Sequence, residues 1–315
     1  MTGRRSDRSL AGLLLAQRLV DGEAEALKAR EFWSVVETVA EPERLLGLGP
    51  AEITGLGIAP DLSERIARRM EAAPALAFEL ERLEQSGLRV LSALDDDYPR
   101  RFLERLGRTA PPVLHVAGDA GLLSRDGVGV VGSRHASADA LEIAASAAIE
   151  ATRRLRPLVS GGARGVDQAA MTAALGGGGN AVAVLAEPLA RRLREPVARR
   201  AITAGTLCLC APYKPSAGFS VANAMGRNRL VYALTGVTLV VAADEGNGGT
   251  WEGALEALRA RITDVAVWQG PGAGPGNAAL AAQGARPVIS MADLFSSQSL
   301  ETTRTAPPPQ LTFEV

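Results

Sequence analysis

Val159-Ser160-Gly161-Gly162-Ala163-Arg164-Gly165-Val166-Asp167 reads as the end of a β-branched strand, a glycine-rich turn and the start of an alanine-rich helix. Upstream, Val131-Gly132-Ser133-Arg134 repeats the arrangement ahead of another alanine-rich run. Two consecutive strand ends therefore turn into helix N-termini through Gly, Ser and Arg. These residue types hold phosphate: backbone N–H groups that approach closely, the positive end of a helix dipole and a guanidinium fork. The stretch points to an α/β protein that grips a polyphosphate or a nucleic-acid backbone.

Working outward, apolar runs alternate with helical ones. The pattern predicts strands over 89–92, 128–131, 158–160, 181–185, 206–211, 237–243, 264–268 and 287–290, and helices over 138–155, 166–175, 191–204, 227–234 and 251–261. Val237-Thr238-Leu239-Val240-Val241 shows no polar alternation, which fits a strand buried on both faces of a parallel sheet. The fold class is α/β: an extended Rossmann-like, doubly wound, mostly parallel sheet. Residues 1–75 read as helical, with amphipathic or apolar stretches at 10–20, 32–39 and 62–70. Glycine-broken short helices around Gly47–Gly57 resemble a helix-hairpin-helix or SAM-like module. A helix over 75–85 leads into the sheet. The expected organisation is a helical SAM-like domain at 1–75, a Rossmann-like domain at 76–295 and a flexible tail at 296–315 that contains Pro307-Pro308-Pro309.

The chain has 315 residues, 47% of them hydrophobic but only 4% aromatic, so aliphatics and alanine must fill its core. Its net charge of -1 hides an asymmetry: residues 188–236 carry eight Lys and Arg against Glu195 alone, or +7, leaving -8 for the remainder. That distribution predicts an anion-binding face on an acidic body. Lys28 and Lys214 are the only lysines, so positive charge is presented almost wholly as planar guanidinium. Cys208 and Cys210 are spaced too closely to bridge and are too few for a metal site, and read as buried thiols. With no signal peptide and no long apolar run, the expectation is a cytoplasmic protein without a membrane segment.

Ligands of parallel sheets bind outside the carboxyl ends of the strands, so the strand-end turns should converge. They supply Gly132, Ser133 and Arg134; Ser160, Gly161, Gly162 and Arg164; then, after the fourth strand, Lys214, Phe219 and Gly226-Arg227-Asn228-Arg229; and finally a glycine-rich turn with Thr250 as helix N-cap. The turn after the strand at 128–131 is Gly132-Ser133-Arg134-His135 and not a G-x-G-x-x-G turn, the next strand ends in Ser160-Gly161-Gly162 with no ribose-binding acid, and no G-x-x-x-x-G-K-[ST] occurs, which argues against NAD and against P-loop nucleotide hydrolysis. No cofactor, metal or catalytic group is expected. Asp167 reads as structural, meeting the helix dipole or pairing with Arg164 or Arg229. His115 reads as a core or edge residue, and His135 as a possible ligand contact. Phe219, Tyr213 and Tyr232 are candidates for base stacking, with Tyr232 better suited to a core.

The chain resembles the DNA-processing protein A family, also called DprA or Smf, over residues 87–291. The motifs are Asp97-Tyr98-Pro99, Pro111-Pro112-Val113-Leu114, Gly118-Asp119, Val131-Gly132-Ser133-Arg134, Ser160 to Asp167 and Arg227-Asn228-Arg229. The resemblance implies single-stranded DNA bound in a basic pocket, homodimerisation, and loading of the RecA recombinase as in natural transformation. It places DNA contacts at Arg134, Arg164 and Arg227, with Gly132, Ser133, Gly161 and Gly162 lining the phosphate pocket. The sequence departs from the family at Met171, where a histidine is usual. It departs again at Ala186-Glu187-Pro188-Leu189 and at Gly248-Gly249-Thr250-Trp251-Glu252, and it shows no winged-helix module, as expected of a short, divergent member.

The last of those stretches also resembles nucleotide-processing proteins of the LOG type, which use an arginine and a glutamate to cleave nucleoside monophosphates. Arg227 and Glu252 would take those roles, although Glu252 stands one position early, about 100° of helical rotation away. A nucleotide sensor using the same pocket is a third reading.

Overall fold

The structure is a computed structural model that describes residues 5–20 and 24–296. The tail expected at 296–315 lies outside the described residues except for Ser296. The chain opens with α1 (Asp7–Ala16), α2 (Ala29–Val39), α3 (Pro50–Gly55), α4 (Pro60–Met70) and α5 (Ala73–Gln85). There follow β1 (Arg89–Ser92), α6 (Arg100–Leu106), β2 (Val113–Gly118), β3 (Gly127–Val131), α7 (Ala138–Arg153), β4 (Leu158–Ser160), α8 (Val166–Gly176) and β5 (Ala181–Val184). The remainder is α9 (Leu189–Arg192), α10 (Pro196–Thr203), β6 (Leu207–Ala211), α11 (Val221–Ala233), β7 (Thr235–Val240), α12 (Gly248–Arg259), β8 (Asp264–Trp268), α13 (Asn277–Ala282), β9 (Arg286–Val288) and α14 (Met291–Phe295).

The strands form a nine-stranded sheet ordered β1-β2-β6-β5-β4-β3-β7-β8-β9. All pairings from β6 to β9 are parallel, and only β1 with β2 and β2 with β6 are antiparallel. Both faces are covered, as the unbroken apolar runs require. In β8, Val265 and Val267 enter one buried cluster while Ala266 and Trp268 enter the other. On α7, Ala140, Ala144, Ala147, Ala148 and Ala151 follow helical spacing and are fully buried, a small-residue face that fits close against the sheet. The N-terminal helices share a continuous apolar core with β1 and β2. Arg69 of α4 reaches into it and donates to the carbonyls of Leu14, Gln17 and Ala24 at 2.6, 2.6 and 3.0 Å.

Several expectations are corrected. The apolar run holding His115 is an interior strand, β2, whose antiparallel pairing was not foreseen. The single helix expected over 191–204 is two, because Pro196 has no N–H and holds Glu195 extended at φ -67°, ψ 130°. Helix α1 stops at Ala16 rather than reaching residue 20. There the Gln17 side-chain oxygen accepts from the N–H groups of Leu19 and Val20. Helix α11 begins at Val221, six residues before Arg227, with Ser220 Oγ accepting from Asn223 N at 3.0 Å. Arg227-Asn228-Arg229 is thus mid-helix and not at the start of the helix expected over 227–234. The N-cap of α12 is Asn247, and Thr250 already lies inside the helix.

The strand order also fixes where a ligand can sit. From β3 the chain winds outward through β4, β5 and β6, then returns over α11 to β7 on the other side of β3. The crevice beyond the carboxyl ends of β3 and β7 is the topological switch point.

Candidate nucleic-acid interface

The turns after β3 and β4 are fastened to each other. Gly165 sits at φ 79°, and a Cβ there would run into the Ser133 carbonyl oxygen. The same oxygen accepts from Val166 N at 3.4 Å. This contact carries Arg134 and Arg164, thirty positions apart, to one rim. Together with Gly161, Gly162 and Arg227 they line a cleft of about 620 Å³.

Between this cleft and the switch-point crevice lies a buried ion pair, of which Arg227 lines both spaces and Asp167 the crevice. Asp167 and Arg227 have side chains only 7% and 6% exposed, with Oδ2 and Nη1 3.9 Å apart. Asp167 Oδ2 also accepts from Gly161 N at 3.2 Å and Ala163 N at 3.3 Å. The Arg227 guanidinium lies directly over Gly161, where any Cβ would overlap it. Burial is the largest influence on both groups. It pushes the Asp167 carboxyl up, against the pull of Arg227 and the two N–H groups. It pushes the Arg227 guanidinium down, against the support of Asp167. Two amides of the glycine turn thus already hold the protein's own carboxylate. The positive potential of the cleft is left to side chains.

Arg191 and Arg192 of α9 are part of that lining. They were counted in the basic window but not expected at the site. Arg192 Nη2 donates to the Gly162 carbonyl at 2.7 Å. Glu187 pairs with both arginines, and Glu195 lies 3.0 Å from Arg192. The spacing of Glu187 and Arg191, four residues apart, was the available signal. On the opposite lip the Arg134 guanidinium carbon stands 5.2 Å from the centroid of the half-exposed Phe219 ring, within cation–π range.

Gly132 and Ser133 line the adjoining switch-point crevice, about 540 Å³ in volume, which Arg134, Arg227 and Glu252 also reach. Ser133 Oγ accepts from His135 N at 3.1 Å, and His135 is exposed at the junction of the two spaces. Other expected residues are placed elsewhere. Ser160 is fully buried and its hydroxyl donates to the Val130 carbonyl at 2.7 Å. Lys214 lines a third cavity, beside α5. Arg229 lies 3.5 Å from Glu256 and donates to Thr109 Oγ1 at 2.6 Å, away from the cleft. Asp167 therefore pairs with Arg227, not with Arg164 or Arg229. Tyr232 is buried, and the Tyr213 hydroxyl donates to the Asn223 carbonyl at 2.8 Å, which leaves Phe219 as the exposed ring. Cys208 and Cys210 are buried free thiols, and no helix among the described residues is long and apolar enough to cross a membrane.

Residues 89–299 match the DNA recombination-mediator protein A family. A Mycobacterium tuberculosis relative described as a DNA processing protein DprA is 31% identical over 263 residues, which cover 76% of this chain and 66% of the relative. The chain thus spans about 66% of the length of the curated relative it matches. Among solved structures, DNA processing protein A from Streptococcus pneumoniae aligns with a TM-score of 0.68 at 22% identity, covering 92% of this chain and 97% of that one. DNA processing protein A from Helicobacter pylori, studied for its single-stranded DNA binding mode, aligns with a TM-score of 0.54 at 20% identity, over 65% of this chain and 93% of that one. The likeness to these two structures is one of fold, a mostly parallel Rossmann-like sheet with helices. On the match that spans residues 89–299, the chain belongs to the DNA recombination-mediator protein A family.

Proposed function

We propose that this protein binds single-stranded DNA along the strand-end cleft and acts as a recombination mediator without chemistry of its own. The observation that carries the reading is the convergence of Arg134 and Arg164, from two separate turns, with Arg227, Arg191 and Arg192 on one open cleft beside an exposed aromatic ring. Guanidinium groups tracking a phosphate backbone, with a ring for base stacking, are what sequence-tolerant single-strand binding requires. Membership of the family and the single-stranded DNA binding of the Helicobacter pylori relative support the same ligand class.

In this reading Arg134 and Arg164 contact phosphates, Arg227 supports them from below, and the backbone at Gly132, Ser133 and Gly162 lets the strand approach. The finer assignments complete the proposal: a cytoplasmic homodimer that delivers the strand to RecA, with the helical module of 1–75 as a packing unit. The reading is tested by titrating the purified protein against a labelled single-stranded oligonucleotide at low and at raised salt. Binding at low salt that weakens steeply with salt is expected, and absence of binding at low salt rejects it.

A second reading belongs to the switch-point crevice, because Arg227 and Glu252 line it together. In that reading a nucleoside monophosphate enters the crevice and water cleaves its N-glycosidic bond, releasing base and ribose phosphate with Glu252 orienting the water. Ribose phosphate released from AMP and lost in Glu252→Ala supports it, and none released from clean protein removes it.

A further inference from the structure

The α9–α10 segment presents cations to two cavities at once. Arg191, Arg192 and Glu195 line the strand-end cleft. Ala190, Leu193, Arg194 and, from α10, Arg199 line the cavity of about 540 Å³ beneath α5, which Lys214 also lines. The same short segment thus faces both cavities, Arg191, Arg192 and Glu195 toward one and Ala190, Leu193 and Arg194 toward the other. This segment forms a wall that the two cavities share.

The two sides differ in how their charge is compensated. On the cleft side, Arg191 and Arg192 are paired with Glu187 and Glu195. On the far side, Arg194 and Arg199 are exposed and have no ion-pair partner among the described residues. Among the described residues the one acid lining that cavity, Glu79, is engaged by Arg82 at 2.7 Å, which holds its carboxyl low. Excess positive potential thus continues past the cleft, over the wall and toward α5.

We propose that the bound single strand does not end in the strand-end cleft but crosses the α9–α10 turn, with Arg194 and Arg199 forming a second phosphate-binding segment against α5. The inference rests on the single-stranded DNA reading above and extends its footprint to the helical N-terminal part of the chain. It gives the cavity beneath α5 a ligand class, a sugar–phosphate backbone, and makes site size a property of two segments rather than one.

The test uses the full chain with two homopolymeric oligonucleotides, one of about 6 nucleotides and one of about 18, within and beyond the usual span of a single binding groove. The variants are Arg194→Glu/Arg199→Glu, its milder form Arg194→Gln/Arg199→Gln, and Arg134→Ala, each checked for an unchanged melting curve. The expected result is that both double variants bind the short strand as the wild type does, yet bind the long one about tenfold or more weakly. Their salt slope for the long strand should fall by about 1.4, two phosphates at roughly 0.7 each. Wild-type affinity and slope for the long strand in the charge-reversal variant overturn the inference, as does an equal loss on both lengths. If the wild type does not bind the short strand and Arg134→Ala changes nothing on either length, the single-stranded DNA reading itself fails.

Discussion

Arg227 lies over Gly161 with its guanidinium 3.9 Å from the Asp167 carboxylate, and the buried pair stands between the strand-end cleft and the switch-point crevice. The arrangement explains why a glycine turn that looks built for phosphate has its Gly161 and Ala163 N–H groups turned inward. They bind Asp167, and Asp167 holds the arginine that the surface above it needs.

Removing one partner of that pair strands a buried charge. Arg227→Met should cost about 3–5 kcal/mol of stability, the range for breaking a buried ion pair, and Asp167→Asn should cost less because the amide oxygen can still accept from the turn. Urea unfolding of the three proteins checks the order. Equal midpoints for wild type and Arg227→Met would show that the pair is not structural.

Gly161→Ala is the smallest change that tests the stacking of Arg227 on the turn. The added methyl overlaps the guanidinium, so the arginine must move or the turn must shift, at a cost of about 1–3 kcal/mol for overpacking a tight site. The comparison is Gly177→Ala, at the end of α8, where the nearest atom is 3.2 Å away. It should melt within a few degrees of wild type.

His115 supplies a pH dependence. It is buried inside β2, and burial lowers its pKa from 6.5 to about 4. Its folded pKa lies below the unfolded value, so the unfolded chain binds the extra proton first as pH falls. The stability tied to the neutral imidazole is intact above pH 6.5 and is lost progressively toward pH 4. Between pH 7 and pH 5 the loss is about 2 kcal/mol from the linkage relation. His115→Leu should flatten that part of the profile in unfolding curves measured at the two pH values. An unchanged slope in the variant would assign the effect to other groups.

Phe219 is half exposed and carries Arg134 above its face. If a base stacks there, Phe219→Ala should weaken single-stranded DNA binding by about 1–3 kcal/mol while leaving the melting temperature within about a degree, as a surface change does. Phe219→Trp should retain binding. Loss of stability in step with loss of binding would make the ring a packing residue instead.

Much of this was readable from the amino-acid sequence. The strands at Arg89–Ser92, Leu158–Ser160 and Asp264–Trp268 have the boundaries that their apolar runs predict, because glycine and polar residues punctuate them. β2 was not, since its place between β1 and β6 comes from antiparallel pairing with partners remote in sequence. At the site, the convergence of the two glycine turns follows from their places at the ends of parallel strands, but helical phase does not. Arg227 and Arg229 look equivalent in the sequence. On a continuous α11 they are about 200° apart, so only one can face the cleft, and the other turns to Thr109 and Glu256. The partner of Asp167 was hidden for a similar reason: it lies sixty positions away on that helix.

That divergence between neighbouring arginines provides the most direct test of the account. Affinity for a labelled single-stranded oligonucleotide at low salt should be measured for wild type, Arg134→Ala, Arg164→Ala and Arg229→Ala. The account predicts about tenfold weaker binding, roughly 1.4 kcal/mol, for each of the first two variants. Each should also show a salt slope smaller by about 0.7, the value for one phosphate no longer neutralised. Arg229→Ala should bind as the wild type does. Wild-type affinity in both Arg134→Ala and Arg164→Ala, or a loss confined to Arg229→Ala, would contradict the assignment of the cleft as the DNA-binding surface.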